Sequence, residues 1–295
     1  MHLNIAVGIP TVGRAHILRE TLIEIARQSR RPDSIIVCGA TAGDVAGAAE
    51  AYPEVRVMLT EPGLPRQRNA IIGAAAGADV LVFFDDDFFP DPGYLATIEQ
   101  HMGRDPGIVV ATGLVVADGI GGLGLTPAEG RTILSRHLAF IDVQSQAVRP
   151  TFSGYGCNMA VRLAPMRAHG LRFDERLPLY AWQEDVDLSR HLAEFGEVVQ
   201  IPAARGVHLG VKSGRGSGVR LGYSQVANPI YLCGKRRGYP FRRAITHVAK
   251  NMAMNIARAF RPEPFVDRRG RLRGNLLALR DLAFGRMIPE RILDL

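Results

Sequence analysis

A run of five apolar residues, Val80-Leu81-Val82-Phe83-Phe84, leads directly into three consecutive carboxylates, Asp85, Asp86 and Asp87. A short uninterrupted apolar run is typical of a strand that is buried on both faces of a sheet. In open α/β sheets, ligands bind beyond the carboxyl ends of the strands, which is where these acids are placed. Clustered carboxylates repel one another, and a divalent cation that prefers oxygen ligands, such as Mg²⁺ or Mn²⁺, relieves the repulsion. The sequence therefore predicts a metal site that serves a phosphate-bearing substrate, with a solvated acidic turn as the alternative.

Strands and helices alternate through the first half of the chain. Predicted strands cover 5–9, 34–38, 55–59, 80–84 and 108–116, and predicted helices cover 16–28, 65–77 and 92–102. This alternation predicts an α/β fold with a mainly parallel sheet flanked by helices. The second half is less regular, with predicted strands at 157–161 and 198–201, a helix over 184–195, a flexible glycine-rich stretch over 210–222 and an apolar helical pattern over 244–260.

Length and cysteine usage describe an ordinary globular protein. The chain has 295 residues, enough to bury a core without covalent staples. Its three dispersed cysteines fit a reducing compartment better than a disulfide framework. The stretch Met1–Val7 has no basic segment before its apolar residues, so we expect a first strand there and not a signal peptide. These features predict a cytoplasmic protein.

The net charge of +7 is concentrated at the C-terminal end. Residues 235–295 hold 15 Lys and Arg against 5 Asp and Glu, and the rest of the chain is slightly acidic, which argues against a nucleic-acid groove there. Arginine pairs alternate with apolar residues such as Leu276 and Leu282, as in an amphipathic segment on an anionic membrane. A helical cap on the rest of the protein, with a solvated basic face, explains the same pattern.

Several motifs occur in a fixed order along residues 3–240. They are Ile9-Pro10-Thr11 with Arg14, then Arg68-Asn69, then Phe84-Asp85-Asp86-Asp87, then Gly154-Tyr155-Gly156-Cys157-Asn158-Met159-Ala160, and finally Trp182-Gln183-Glu184-Asp185. Together they resemble the family 2 glycosyltransferases of the GT-A fold. In that family the Asp-x-Asp motif binds a metal, and the enzyme moves a sugar from a nucleotide-sugar donor to an acceptor, usually with inversion.

The resemblance implies a set of donor contacts. The expected donor residues are Pro10, Thr11, Arg14, Asp44, Arg68, Asn69, Asp85, Asp86, Lys212 and Arg220. Asp44 is included because the second strand ends without the acid that commonly contacts the nucleotide base, and Asp44 is the next carboxylate. A UDP-sugar is the first choice of donor, although this departure leaves the base open. Surface arginines are the alternative interpretation of Arg14 and Arg68.

The expected metal ligands are Asp87, Asp85 and His208, with Mn²⁺ or Mg²⁺ as the cofactor. Asp85 and Asp87 are two residues apart, so on a strand they share a side, while Asp86 points away and is expected to matter less. His208 is a ligand by resemblance, and a structural histidine is the alternative. Lys212, Arg215 and Arg220 lie in the glycine-rich stretch, which we expect either to close over the diphosphate or to be a plain surface loop.

The resemblance makes Asp185 the general base that takes the proton of the acceptor hydroxyl, with Glu184 as the alternative. The alternative is that both acids only cap the start of a helix or compensate its dipole. The acceptor side is expected at Trp182, Gly154 and Tyr155, although a lone tryptophan more often packs in a core.

We therefore expect an inverting glycosyltransferase that acts on a saccharide or lipid-linked acceptor, in polysaccharide or glycolipid biosynthesis, at the inner membrane face. The alternatives are a nucleotidyltransferase with the same metal site and a non-enzymatic binder led by the basic end. The expected organisation is a donor half over 1–118, an acceptor half over 119–238 and a basic helical extension over 239–295.

Overall fold

The computed structural model describes residues 2–139, 147–213 and 216–295. The chain divides into two compact units. The first comprises Met1–Pro62, Arg66–Arg172 and Leu192–Gly214, and the second comprises Gly63–Pro65, Phe173–His191 and Arg215–Leu295. The functional halves expected at 1–118 and 119–238, and the extension from 239, stay a prediction.

The strands and helices follow one another along the chain with these bounds: β1 Ile5–Pro10, α1 Ala15–Ala26, β2 Ser34–Gly39, α2 Ala48–Ala51, β3 Arg56–Leu59, α3 Leu64–Ala74, β4 Val80–Phe84, β5 Phe88–Pro90, α4 Tyr94–Arg104, β6 Ile108–Asp118, α5 Pro127–Ala139, β7 Arg149–Pro150, β8 Asn158–Arg162, α6 Leu163–His169, α7 Glu184–Leu192, β9 Glu197–His208, α8 Gly218–Gly234, α9 Phe241–Ala259 and α10 Arg268–Ala283. A 3-10 helix follows at Pro289–Asp294.

The described strands form one mixed sheet in the order β3-β2-β1-β4-β8-β6-β9-β5, with β7 paired to β9. The pairs β1–β2, β2–β3, β1–β4 and β6–β9 are parallel, and β8 enters antiparallel between β4 and β6. This arrangement confirms the predicted α/β fold of a sheet flanked by helices. Because β6 and β9 are parallel neighbours, their carboxyl ends meet, with Asp118 opposite His208.

The apolar run of β4 is buried along its whole length. An aromatic cluster follows from it: Phe84 stacks on Phe88 with ring centroids 5.3 Å apart, and Tyr94 packs edge-on against both rings. The Tyr94 hydroxyl donates to the carbonyl of Asn158 on β8. This cluster fixes both ends of the Asp85–Asp87 segment, which joins β4 to β5.

The structure corrects several sequence expectations. The predicted strand at 198–201 is the first half of β9, which continues to His208 and pairs with both β6 and β5. The predicted helix over 184–195 ends at Leu192, and Phe195 lies beyond it, exposed and stacked on His169. The stretch over 210–222 is not all loop, because α8 begins at Gly218.

The second unit is built from helices. Its helices α8 and α10 approach closely at glycines: a Cβ at Gly222 would lie 2.1 Å from the Arg271 carbonyl oxygen, so no larger residue fits without a shift. The buried amide of Asn275 donates to the Gly222 carbonyl and accepts from Asn255 on α9. The predicted helical character of the C-terminal segment is confirmed. None of the helices in the described ranges combines the length and the apolar character needed to cross a bilayer.

Candidate active site

The three consecutive acids lie in a turn and not on a strand, because β4 ends at Phe84 and the Phe88 amide donates to the Asp85 carbonyl. Alternation along a strand therefore does not explain their directions. The turn nevertheless separates them: the side chain of Asp85 is 29% exposed, whereas Asp86 and Asp87 are buried. Asp87 is fixed by the amide of Val211, which donates to its Oδ2 at 2.8 Å.

Asp85, Asp87 and His208 converge on one point. Each offers one ligand atom, and these three atoms all lie within 4.8 Å of one another. His208 Nε2 is 3.4 Å from Asp87 Oδ1 and 4.0 Å from Asp85 Oδ2. The buried Oδ1 of Asp87 accepts no hydrogen bond from the residues that the structure describes. Two carboxylates and an imidazole with a free acceptor atom fit Mn²⁺, and they fit Mg²⁺ where the substrate supplies further oxygens.

Asp118 and Tyr155 orient His208 through the ring nitrogen that does not face Asp85 and Asp87. His208 Nδ1 donates to Asp118 Oδ1 at 2.9 Å, and the Tyr155 hydroxyl donates to Asp118 Oδ2 at 2.9 Å. A carboxylate on the far nitrogen fixes the tautomer of a histidine and turns its other nitrogen toward a metal. Asp118 was not predicted from the sequence as a site residue. Its only local signal is an acid two residues beyond the predicted strand 108–116, and its pairing with His208 depends on the β6–β9 register.

The charges of the site are strongly coupled. Burial alone would lower the pKa of His208, but its contacts with Asp118 and Asp87 raise the pKa to about 10. Burial opposes ionisation of Asp87 as well, yet His208 and Arg14 lower its pKa to about 2. Without a cation, the site thus holds a proton on His208 between carboxylates. A bound cation would displace that proton, because imidazole ligates metals in its neutral form.

Arg14 and Thr11 neutralise Asp86. The Arg14 guanidinium lies 2.7 Å from Asp86 Oδ1 and 3.3 Å from Asp87 Oδ2, and the Thr11 hydroxyl donates to Asp86 at 2.6 Å. Burial disfavours the charge of Arg14, but the three aspartates outweigh it and raise the pKa of Arg14. Asp86 was expected to matter less. It is not among the three residues that converge, and its contacts tie the loop after β1 to the acidic turn; a contact between Asp86 and the donor stays a prediction.

The side chains of Arg68 and Asp44 form hydrogen bonds and ion pairs with other groups of the protein. Arg68 is only 1% exposed, and its guanidinium lies 3.3 Å from Asp85 Oδ1 and donates to the carbonyl of Gly156. This burial favours a positioning role over the predicted donor contact. The Asp44 carboxylate accepts from the backbone amides of Gly13, Ala40 and Thr41. It shapes the loops after β1 and β2, and a contact with the nucleotide base stays a prediction.

The structure places the remaining predicted residues of the first unit as follows. Lys212 Nζ donates to the carbonyls of Gly119 and Ile120. Gly154 is buried so tightly that a Cβ there would lie 2.7 Å from the sulfur of Met159. Tyr155 is partly exposed beside His208, with their ring centroids 6.0 Å apart. Asn69 is buried in α3.

The sequence matches the family model described as glycosyl transferase family 2 over residues 6–163, more than half of the chain. The chain belongs to glycosyl transferase family 2. It is a glycosyltransferase, and Asp85 and Asp87 fit the family's Asp-x-Asp motif. No curated protein sequence matches it significantly.

Solved structures share the fold of this glycosyltransferase. Mannosyltransferase PcManGT from Pyrobaculum calidifontis, in complex with GDP-Man and Mn²⁺, is 17% identical with a TM-score of 0.58, over 99% of this chain and 86% of that chain. GalNAc-T7 with UDP, GalNAc and Mn²⁺ is 16% identical with a TM-score of 0.59, over 96% of this chain and 55% of that chain. Glucosyl-3-phosphoglycerate synthase from Mycobacterium tuberculosis, with phosphoglyceric acid, is 18% identical with a TM-score of 0.53, over 81% of each chain. These similarities confirm the GT-A fold.

The predicted base and part of the acceptor side of the glycosyltransferase belong to the second unit. Glu184 is buried and Asp185 is half-buried, both in the first turn of α7. Their neighbour Asp187 is buried and paired with Lys235.

The segment before α7 has a strained backbone. Leu179, Ala181 and Gln183 all have positive φ, of 59°, 49° and 75°, which side-chain-bearing residues rarely adopt. Hydrogen bonds from other parts of the second unit hold this segment: the Leu64 amide donates to the Leu179 carbonyl, Asn228 donates to the Trp182 carbonyl, and the Tyr239 hydroxyl donates to Gln183. The Trp182 ring packs edge-on against His247, so at least part of its surface serves packing.

The predicted basic loop is divided by the fold. Lys212 lies in the first unit, Arg215 lies outside the described residues, and Arg220 is on α8 in the second unit. The guanidinium of Arg220 donates to the carbonyl of Leu295. Closure of this loop over a diphosphate stays a prediction.

Proposed function

We propose that this glycosyltransferase moves a sugar from a nucleotide-diphosphate sugar to a saccharide or lipid-linked acceptor with inversion, using Mn²⁺ or Mg²⁺ held by Asp85, Asp87 and His208. The observation that carries the proposal is the convergence of these three ligand atoms beside an orphaned carboxylate oxygen. The cation would supply positive charge to the departing diphosphate. Two of the fold neighbours support this assignment, because the mannosyltransferase was solved with GDP-Man and Mn²⁺ and GalNAc-T7 with UDP, GalNAc and Mn²⁺.

In this proposal the protein positions the ligands before the donor arrives. Asp118 and Tyr155 orient His208, the Val211 amide orients Asp87, and Arg68 restrains Asp85. Preorganised charges of this kind stabilise developing charge without reorganising during the reaction. Arg14 acts differently, because it balances Asp86, so that the cation and the donor meet only the outer two acids.

We propose Asp185 as the base that accepts the proton of the acceptor hydroxyl. Its support is the family motif and its half-buried position at the start of α7, where a carboxylate keeps access to solvent. Glu184 is the alternative base, although its deeper burial favours a structural role.

We further propose a UDP-sugar donor, a role in polysaccharide or glycolipid biosynthesis, and a cytoplasmic location at the inner membrane face. Free cysteines support a reducing compartment. The surplus of Lys and Arg over residues 235–295 supports binding of the enzyme to an anionic membrane surface.

Isothermal titration calorimetry tests the donor and metal site directly. The purified chain is titrated with UDP-, GDP- and dTDP-sugars in Mn²⁺ and again in EDTA. We expect metal-dependent binding of one nucleotide class, which is lost in Asp87→Ala. Glu50→Ala, an exposed carboxylate on α2, is the matched control and should bind as the wild type does. Binding that persists in EDTA, or equal binding by Asp87→Ala, would contradict the proposal.

A turnover assay separates this proposal from nucleotidyl transfer on the same metal site. Asp185→Asn removes the base and keeps the size of the side chain. A glycosyltransferase should lose sugar transfer and retain donor binding, whereas nucleotidyl transfer should continue.

A further inference from the structure

Helix α9 carries an exposed apolar stripe on one side. The stripe consists of Phe241, Ile245, Ala249, Met252, Ile256 and Phe260 at the end of the helix, of which Met252 is partly buried against the apolar core of the second unit and the others are exposed. Spacings of three and four residues place these side chains on one arc of a helix. Four of them are unusually open for apolar residues: Phe241 is 66% exposed, Ile245 45%, Ile256 48% and Phe260 84%. A neighbouring arc, with Ala244, Val248 and Asn255, is buried where α9 packs on α8 and α10.

The surroundings of the stripe are positively charged. Helix α9 has no acidic residue in its sequence. Arg236, Arg237, Arg242, Lys250 and Arg261 flank its length and its two ends, and none of them pairs with an acid among the described residues.

The five acids of residues 235–295 are engaged elsewhere. Glu263 pairs with Arg268 and also lies 4.0 Å from Arg258 of α9, Asp267 accepts from the amide of Gly270, Asp281 is buried against Tyr223, Glu290 contacts Arg176, and Asp294 pairs with Arg291. The stripe is therefore bordered by cations whose charge is not balanced locally.

A second feature adjoins the C-terminal end of the stripe. On the outer side of α10, Leu272, Leu276 and Leu277 form the floor of a shallow groove, and Arg269, Arg273 and Arg280 line it. The Arg269 guanidinium also donates to the carbonyl of Ala259, the last residue of α9, which joins the groove to the stripe. Apolar floors with arginine rims suit an acyl chain below a phosphate, because guanidinium binds phosphate oxygens in a bidentate manner.

We propose that α9 lies in the plane of an anionic lipid bilayer, with its stripe in the headgroup–acyl boundary and its flanking cations on lipid phosphates. A helix of 19 residues is about 28 Å long, so it presents a linear contact to a flat surface. A second copy of the chain is a poorer occupant, because pairing two stripes would bring their unbalanced cations together. This inference rests on the membrane location given in the proposed function and names the surface that makes the contact, and it does not depend on the proposed metal and donor chemistry.

Vesicle sedimentation of the full chain tests the proposal. Wild type is mixed with vesicles of phosphatidylcholine alone and of phosphatidylcholine with phosphatidylglycerol. We expect binding to the anionic vesicles, weakened at least about tenfold on neutral vesicles and by 0.5 M salt. The triple variant Phe241→Ser, Ile245→Ser, Phe260→Ser should lose about tenfold or more in partitioning. Arg242→Gln with Lys250→Gln should lose about fivefold per charge.

Matched controls distinguish binding through this surface from non-specific binding of exposed apolar residues to vesicles. Leu59→Ser and Leu123→Ser replace equally exposed apolar residues in the first unit and should bind vesicles as wild type does. Metal-dependent donor binding should be unchanged in the triple variant, which shows that it is folded and keeps failure of this proposal distinct from failure of the proposed function. Equal partitioning of triple variant and wild type, or no binding of wild type to anionic vesicles, would overturn the proposal. So would a lipid-free dimer in light scattering that the triple variant disperses, because a second copy would then cover the stripe.

Discussion

Replacing Asp118 by alanine should weaken metal binding without touching a ligand. The carboxylate lies 2.9 Å from His208 Nδ1 and is the only group that the described structure places on that nitrogen. In the variant the imidazole loses its orientation, and its tautomer is no longer fixed with Nε2 as the acceptor. Removing such a supporting carboxylate typically costs about 10- to 100-fold in metal affinity.

The same magnitude follows from the hydrogen bond itself. A bond to a charged partner contributes about 1.5–3 kcal/mol, and each tenfold in a binding constant is about 1.4 kcal/mol. One lost charge-assisted bond thus corresponds to roughly one to two decades in the dissociation constant for Mn²⁺.

Electron paramagnetic resonance of free Mn²⁺, titrated with the purified chain, measures this constant directly. Tyr155→Phe removes only the hydroxyl that donates to Asp118 and leaves the Asp118–His208 contact, so we expect a loss of about threefold or less. Asp118→Asn keeps an acceptor for Nδ1 and should fall between the two. If Asp118→Ala binds Mn²⁺ within twofold of wild type while its metal-free melting temperature is unchanged, then Asp118 does not position the ligand and the reasoning fails.

Three further outcomes follow from the structure. Saturating Mn²⁺, at 100 times its dissociation constant, should stabilise the wild type by about 2.7 kcal/mol in thermal unfolding, and EDTA or Asp87→Ala should abolish the gain. Asp185→Asn should lower kcat by about 10²- to 10⁴-fold with donor affinity unchanged in calorimetry; unimpaired turnover would exclude it as the base. Burial opposes ionisation of Asp174, but Tyr231 and Lys235 lower its pKa, so its contribution to stability is present above its usual pKa and is lost as the pH falls through the lowered value. Lys235→Met should therefore cost about 1–3 kcal/mol in urea unfolding at pH 7 and clearly less near pH 2, and an equal cost at both would contradict the pairing.

The first half of the fold could be predicted from the sequence because its signals are local. A strand buried on both faces needs an unbroken apolar run, and the run Val80–Phe84 coincides with β4 residue for residue. The strands β1 and β2 and the helix α1 were also predicted to within two residues at each end. In each case the apolar pattern itself determines which residues are buried, so no distant part of the chain is needed to interpret it.

The errors came from residues whose role depends on distant partners. The glycines of α8 suggested a flexible loop, yet Gly222 is required because the α10 backbone passes where its Cβ would be. The second half of β9 lacks a regular apolar pattern and is a strand because β6 and β5 flank it. Asp118 reaches His208 only because β6 pairs with β9 in this register, and the two residues are 90 positions apart in the sequence.

The candidate site illustrates the same limit in its charges. Three identical residues in a row carry no local signal that distinguishes them. Asp86 was separated from its neighbours on the premise that the three acids continue a strand, but β4 ends at Phe84 and they lie in a turn.

Their distinct environments come from three separate places in the chain. Arg14, after β1, balances Asp86; Arg68, in α3, restrains Asp85; and His208, at the end of β9, faces Asp87. Since burying three like charges together is costly, each must have its own compensation before the fold can form. Only Asp85 and Asp87 have carboxylate oxygens that converge with the imidazole of His208. The positively charged side chains of the protein therefore determine which carboxylates are left to bind a metal.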